Sequence, residues 1–249
     1  MSPEFYLAAI PAVLIAGLSK GGFGGGIGMV ATPLLALAVP PVTAAAILLP
    51  VLVAMDAIGV WSYRRHVKWS VIAQMMPGAL IGIALGWATA AHVNDDFLRV
   101  VVGAIAIGFA IQQFAADCRQ RQAAAENLTR ASFWGTFAGY TSFVSHAGGP
   151  PFQAYALPLR LDKLMFAGTG VVFFAAVNAA KLVPYFALGQ FDRATLSAAA
   201  TLLPVAVIGV LLGVWAVRKV SQAAFYNITY AAMILVGSKL VHDGLAALL

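Results

Sequence analysis

Gly17-Leu-Ser-Lys-Gly-Gly-Phe-Gly-Gly-Gly-Ile-Gly28 interrupts an apolar run near the start of the chain, and Gly139-Tyr-Thr-Ser-Phe-Val-Ser-His-Ala-Gly-Gly-Pro150 interrupts another in the second half. The differences 139 − 17 and 148 − 26 are both 122, which reads as an internal repeat. In a membrane chain, paired interruptions at matching places in two halves mark where broken helix ends and free backbone groups face each other around a bound solute.

Around these breaks the chain is overwhelmingly apolar. Of its 249 residues, 61% are hydrophobic and 10% charged, with a mean hydropathy of +0.89, more apolar material than a soluble core of this size can hide. The runs Thr43–Trp61, Val71–Ala91, Phe97–Phe114, Ala167–Leu188, Thr195–Val217 and Phe225–Val241 mostly approach or exceed the roughly 20 residues that cross a bilayer as helix. Lipid cannot satisfy open strand edges, and the short alternating segments of an outer-membrane barrel are absent, so the chain reads as an all-α integral membrane protein. Met1-Ser-Pro-Glu4 places no basic region before the first apolar segment, and no removed signal peptide is expected.

Charge and cysteine usage exclude other classes. The net charge of +6 comes from Lys and Arg clustered in short loops, where membrane orientation accounts for them, and no basic face or known module points to nucleic acid. Cys118 has no second thiol to pair with and no metal-ligand spacing around it, so neither a metal nor another cofactor is expected.

The clearest shift in composition is the polar stretch DCRQRQAAAENLTR from Asp117 to Arg130. It divides the chain into a first membrane repeat (1–116), a cytoplasmic linker (117–130) and a second membrane repeat (131–249). Each half reads as a short broken or re-entrant helix pair followed by three spanning helices. The pairs are Phe5–Leu18 with Gly26–Val39, and Ala131–Val144 with Gly149–Leu159. The register continues past the glycines: Asp56 matches Asn178 and Tyr63 matches Tyr185 at 122, while Gly82 and Gly86 match Gly209 and Gly213 at 127.

Loop charge supplies orientation, because Lys and Arg gather on the cytoplasmic side of short loops. Arg64, Arg65 and Lys68 lie inside, the acidic 92–96 turn outside, Arg119, Arg121 and Arg130 inside, Arg160 and Lys163 inside, the 190–193 turn outside, and Arg218 and Lys219 inside. The first full span of one half then runs opposite to its counterpart. The two repeats are therefore of inverted topology, in a multi-pass protein of the cell's inner (plasma) membrane with both termini external.

At Gly17…Gly24-Gly-Gly-Ile-Gly28…Pro33 and at Gly139…His146-Ala-Gly-Gly-Pro-Pro151 the chain resembles the TauE/SafE family of membrane anion permeases, and the likeness covers nearly its whole length. The resemblance implies transport, commonly export, of a small sulfur-containing anion such as sulfite, sulfoacetate or another organosulfonate.

The breaks carry chemistry suited to that role. A helix that begins inside the membrane presents unpaired N–H groups and the positive end of its dipole, and glycine lets backbone approach a ligand closely. Gly24, Gly25, Gly26, Gly148 and Gly149 are the candidates for such ends, with tight helix packing as the rival role. The polar neighbours Ser19, Lys20, Ser142, Ser145 and His146 favour binding. Lys20 can pair with an anionic oxygen or snorkel to an interface, and His146 can bind substrate, carry a proton or make a core hydrogen bond. Asp56 and Lys181 fall within full spans, where ionisable groups are costly and face a cavity or a partner. Asp56 and His146 are candidates for proton coupling, and Lys181, on the face of Asn178, for neutralising the anion. Trp61, Tyr63, Trp69, Tyr185 and Phe191 flank span ends and read as an interfacial belt. The sequon Asn127-Leu-Thr129 lies in the cytoplasmic linker and reads as accidental.

The sequence supports a secondary carrier working by alternating access around the two breaks, driven by protons in preference to another gradient. A passive anion channel is the alternative. Gly17-Leu-Ser19-Lys-Gly21 also fits the nucleophile-elbow pattern of a serine hydrolase, with His146 as base, but an all-helical chain lacks the strand-to-helix elbow that the motif needs. No oligomeric state follows from the sequence.

Overall fold

The computed structural model describes residues 3–23, 27–89, 95–118 and 122–248. Among them are ten α-helices and no strand. In the first half these are α1 (Pro3–Lys20), α2 (Ala31–Leu35, entered through a 3-10 turn at Ile27–Val30), α3 (Pro41–Tyr63), α4 (Trp69–Thr89) and α5 (Asp95–Cys118). In the second half they are α6 (Leu128–Ser145), α7 (Gly149–Ala156, leaving through a 3-10 turn at Leu157–Leu159), α8 (Lys163–Ala187), α9 (Arg193–Lys219) and α10 (Gln222–Leu248). Helices α3, α4, α8, α9 and α10 are long and apolar enough to cross a bilayer, and α5 carries an apolar stretch over Arg99–Ala115.

Local chemistry sets several boundaries. The Asn127 side chain caps α6 by accepting from the Arg130 amide at 2.9 Å, so the sequon asparagine is spent on a helix start. Asp162 caps α8 through the amides of Leu164 and Met165, and Asp192 caps α9 through that of Thr195 at 2.6 Å. The described part of the linker is fastened rather than loose. Glu126 accepts from Ser70 and Gln74 and pairs with Lys68 at 3.3 Å, while Tyr155 of α7 donates to the same Gln74 side chain.

The halves interlock. The most extensive packing joins α4 to α6, α5 to α10, α1 to α9, and α3 to both α8 and α9, every pair crossing from one half to the other. Exchanging each helix for its counterpart maps the pair α1–α9 onto α6–α4. Glycines make these approaches close: a Cβ on Gly17 would lie 2.8 Å from the Gly209 carbonyl carbon, one on Gly21 2.7 Å from that of Gly213, and one on Gly139 2.8 Å from that of Ala79. Gly82 faces the Tyr140 amide and Gly86 the Phe143 ring. Pro77 of α4 and Pro204 of α9 stand at the same offset of 127 as the paired glycines. Helix α3 runs antiparallel to α8, since Gly59 meets Val171 while Tyr63 meets Gly168, and α5 runs antiparallel to α10, since Gly103 meets Gly237 while Asp96 meets Gly244.

The short helix pairs differ from the sequence expectation in one respect. Their first members are 18 residues long, about 27 Å at 1.5 Å per residue, and only the second members, with five and eight residues, are short. Within the polar ends Ser19-Lys20 and Ser142–Ser145, Lys20 pairs with Asp56 and Ser142 accepts from Lys181 across the interior, while Ser145 returns its hydroxyl to Thr141.

Candidate anion-binding site

The two long helices α1 and α6 end against α3 and α8, and the ends are built alike. Tyr63 on α3 donates to the Gly21 carbonyl at 2.6 Å, and Tyr185 on α8 donates to the Phe143 carbonyl at 2.9 Å, both donors and both acceptors being 122 residues apart. These tyrosines are buried, at 1% and 6% exposure, whereas Trp61 and Trp69 are exposed. The belt expected for all five aromatics therefore does not include Tyr63 and Tyr185, which tie down the carbonyls freed at the breaks.

Between the breaks lies a network of charge. Lys20 forms an ion pair with Oδ1 of Asp56, and Asn178 donates from Nδ2 to the other carboxylate oxygen at 2.6 Å. The side chains of the pair are 11% and 5% exposed, too shielded for the snorkelling alternative. Asp56 and its repeat counterpart Asn178 thus touch directly across the interface of the two halves.

Lys181 is fully buried and donates to the Ser142 carbonyl at 2.8 Å, the Ser142 hydroxyl at 3.1 Å and Nδ1 of His146 at 2.9 Å. Three acceptors match the three N–H donors of an ammonium. Nε2 of His146 lies 3.1 Å from the Ala45 carbonyl, and a carbonyl only accepts, so the proton sits on Nε2 and Nδ1 receives from Lys181. His146 caps α6 in the left-handed region at φ 55°, with its amide returning to Ser142 and that of Ala147 to Thr141. Side-chain residues seldom adopt that conformation, and here both ring nitrogens hold it.

A cavity of about 40 Å³, measured over the positions open to a water centre, occupies the junction. Its polar walls are Ser19, Lys20, Thr32, Ser142, His146 and Asn178, and its apolar walls include Leu48, Leu52 and Phe174. The Ser19 and Thr32 hydroxyls are buried there without a hydrogen-bond partner among the described residues. A buried hydroxyl left unpaired costs about 1–3 kcal/mol, which a polar ligand would recover. Lys20 lines this cavity and is held by Asp56, so the site carries an ammonium for which an anion and the carboxylate compete.

The structure sorts the sequence candidates. Ser19, Lys20, Ser142, His146 and Gly149 reach the cavity, and Lys181 stands behind His146. Gly148 packs against Ala138 and Phe174 instead, and Ser145 donates to the Thr141 carbonyl and faces a neighbouring cavity. Gly24, Gly25 and Gly26 lie outside the described residues. The start of α7 offers few amides, since Pro150 and Pro151 have no N–H, and the donors of this site are side chains. Thr32 and Phe174 carried no signal in the sequence, while Asn178 was visible as the repeat partner of Asp56.

No base is set against Ser19. Both ring nitrogens of His146 are engaged elsewhere, and among the described residues no strand exists to form an elbow.

The family model described as sulfite exporter TauE/SafE matches residues 9–240. No curated protein and no solved structure matches the chain.

Proposed function

The chain belongs to the sulfite exporter TauE/SafE family, and from that premise we propose that it is a secondary carrier of compact sulfur oxyanions, sulfite first among them, through the cavity between its two breaks. One observation carries this reading: two unpartnered buried hydroxyls and the Lys20 ammonium converge on one small cavity beside a carboxylate that can release that ammonium. A single water needs about 10–15 Å³ of the same measure, so about 40 Å³ holds a sulfur with its oxygens and leaves little room for an organic tail.

Coupling follows from the Lys20–Asp56 pair. With Asp56 ionised, its charge cancels that of Lys20; with Asp56 protonated, Lys20 turns to the anion and the site gains one positive charge. Proton and anion then cross together. His146 is the weaker proton carrier, because Lys181 already occupies the nitrogen that would take the proton. Alternating access is supported by the antiparallel packing of the equivalent helices α3 with α8 and α5 with α10, as inverted repeats require, and the basic loops orient the plasma-membrane protein with both termini outside.

The test begins with detergent-purified protein, sulfite, sulfate, thiosulfate, sulfoacetate, taurine and acetate, and thermal shift as the readout. Sulfite raises the midpoint and sulfoacetate raises it less; Lys20→Met abolishes the response. In proteoliposomes an imposed pH difference drives sulfite flux, and Asp56→Asn removes that dependence. Flux in the parent protein indifferent to pH would exclude proton coupling, and a panel with no shift at all would exclude the site.

A further inference from the structure

A second cavity, of about 50 Å³, adjoins the first, and Thr32 is a wall of both. Its other walls include Pro33, Pro41, Arg99, Ser145 and Leu240. Pro33 comes from α2, Pro41 from the start of α3, Arg99 from the first turns of α5, Ser145 from the end of α6 and Leu240 from α10; Pro41 and Arg99 lie on the side of the molecule that holds Asp96, opposite the basic loops at Arg64, Arg65 and Arg218.

The Thr32 hydroxyl is unusual for this chain. Thr136, Thr141, Thr169 and Thr229 all return their hydroxyls to the carbonyl four residues earlier. Thr32 follows a 3-10 turn, is 6% exposed and has no partner among the described residues. It stands where the two cavities meet. Arg99, a charged residue in the second cavity's walls, is held by Asp96 at 2.7 Å and is a quarter exposed, within reach of ions on that side.

We propose that Thr32 is the threshold of the anion's path between the central cavity and the Asp96 side of the membrane, with Arg99 as the outer cation that concentrates the anion there. The inference rests on the reading of the first cavity as the substrate site. A guanidinium has five N–H donors, so Arg99 can meet a sulfur oxyanion while Asp96 fixes its position. The Thr32 hydroxyl, donating to the anion as it passes, replaces water between Arg99 and the Ser19–Lys20 end of the central cavity. Thr32 thus serves both the central cavity and the passage out of it, while Lys20 serves the central cavity.

The test compares full-length parent, Thr32→Val, Thr32→Ser, Arg99→Gln and Lys20→Met, each assayed for sulfite binding by thermal shift in detergent and for sulfite flux in proteoliposomes. Thr32→Val keeps the shape and loses the hydroxyl: flux is expected to fall at least tenfold further than the accompanying loss of sulfite affinity, read from the sulfite concentration at half-maximal thermal shift, accounts for. Thr32→Ser restores flux to within twofold of the parent. Parental flux falls with rising salt, and Arg99→Gln removes most of that salt dependence. Parental flux in Thr32→Val, together with lost binding in Lys20→Met, would overturn the path and leave the site standing. Equal loss in Thr32→Val and Thr32→Ser would reduce Thr32 to packing and also overturn it. Undiminished binding in Lys20→Met would refute the site itself, and the path with it.

Discussion

Lys20 and Asp56 are 36 residues apart and were separate candidates in the sequence; the fold joins them and adds Asn178. Desolvating a carboxylate and an ammonium costs several kcal/mol each, so the pair is held for what its opening permits and contributes little net stability. Lys20→Met strands Asp56 and is expected to cost about 3–5 kcal/mol, whereas Lys20→Met combined with Asp56→Asn recovers most of that loss. Thermal denaturation of the four proteins in detergent closes the cycle; additive losses would show that the two side chains do not interact. At the surface, the Thr195 amide holds the Asp192 carboxyl below the usual carboxylate range. A depressed folded value means that this stabilisation is complete above the unfolded value near 3.9 and is lost as pH falls through the folded one. Asp192→Asn should therefore melt below the parent at neutral pH, with the gap closing under acid; a gap constant down to pH 2 would contradict the charge contribution.

Among the elements, spans were legible from length and hydropathy: five of the six runs fall on helices long and apolar enough to cross a bilayer, α3, α4, α8, α9 and α10, and the sixth falls on α5, whose apolar stretch over Arg99–Ala115 is shorter. The ends of α1 and α6 were less so. Ser19-Lys20 and Ser142–Ser145 look like stops when read locally, yet both stretches are helical, with Lys20 paired to Asp56 on α3 and Ser142 to Lys181 on α8, and those partners are tertiary information. Tyr63 and Tyr185 show the same division. Their match at 122 was visible, but aromatic residues at span ends suggested lipid interfaces, and only the packing shows them bonded to the break carbonyls. The paired glycines were legible as a repeat, and their use is close helix approach. Gly139→Leu would drive a side chain into the Ala79 backbone and should cost about 1–3 kcal/mol or more. On α5, Gly108 faces open space, so Gly108→Ala should stabilise by about 0.5–1 kcal/mol. Midpoints in detergent separate the two, and equal tolerance at both positions would refute the packing role.

Across the whole molecule, the offset of 122 was readable in the sequence, but the pairing between halves was not, because an offset says which positions correspond and nothing about which ones touch. Asp56 and Asn178 happen to do both. The principal helix pairs all cross between halves, so neither half covers its own glycine faces. During synthesis the ribosome delivers 1–118 to the membrane before α6, α8, α9 or α10 exists. Lys20 and Asp56 can pair within the first half, but Asn178 and the helix that covers the Gly17–Gly21 face belong to the second half and arrive only with it. Expressed as two polypeptides, 1–118 and 122–249, each fragment alone should be degraded, and the two together should accumulate and copurify; a stable, protease-resistant first fragment would count against this dependence. Assembly of this protein is thus closer to the meeting of two subunits than to the maturation of successive domains, and the first half is the intermediate that quality control in the cell would meet.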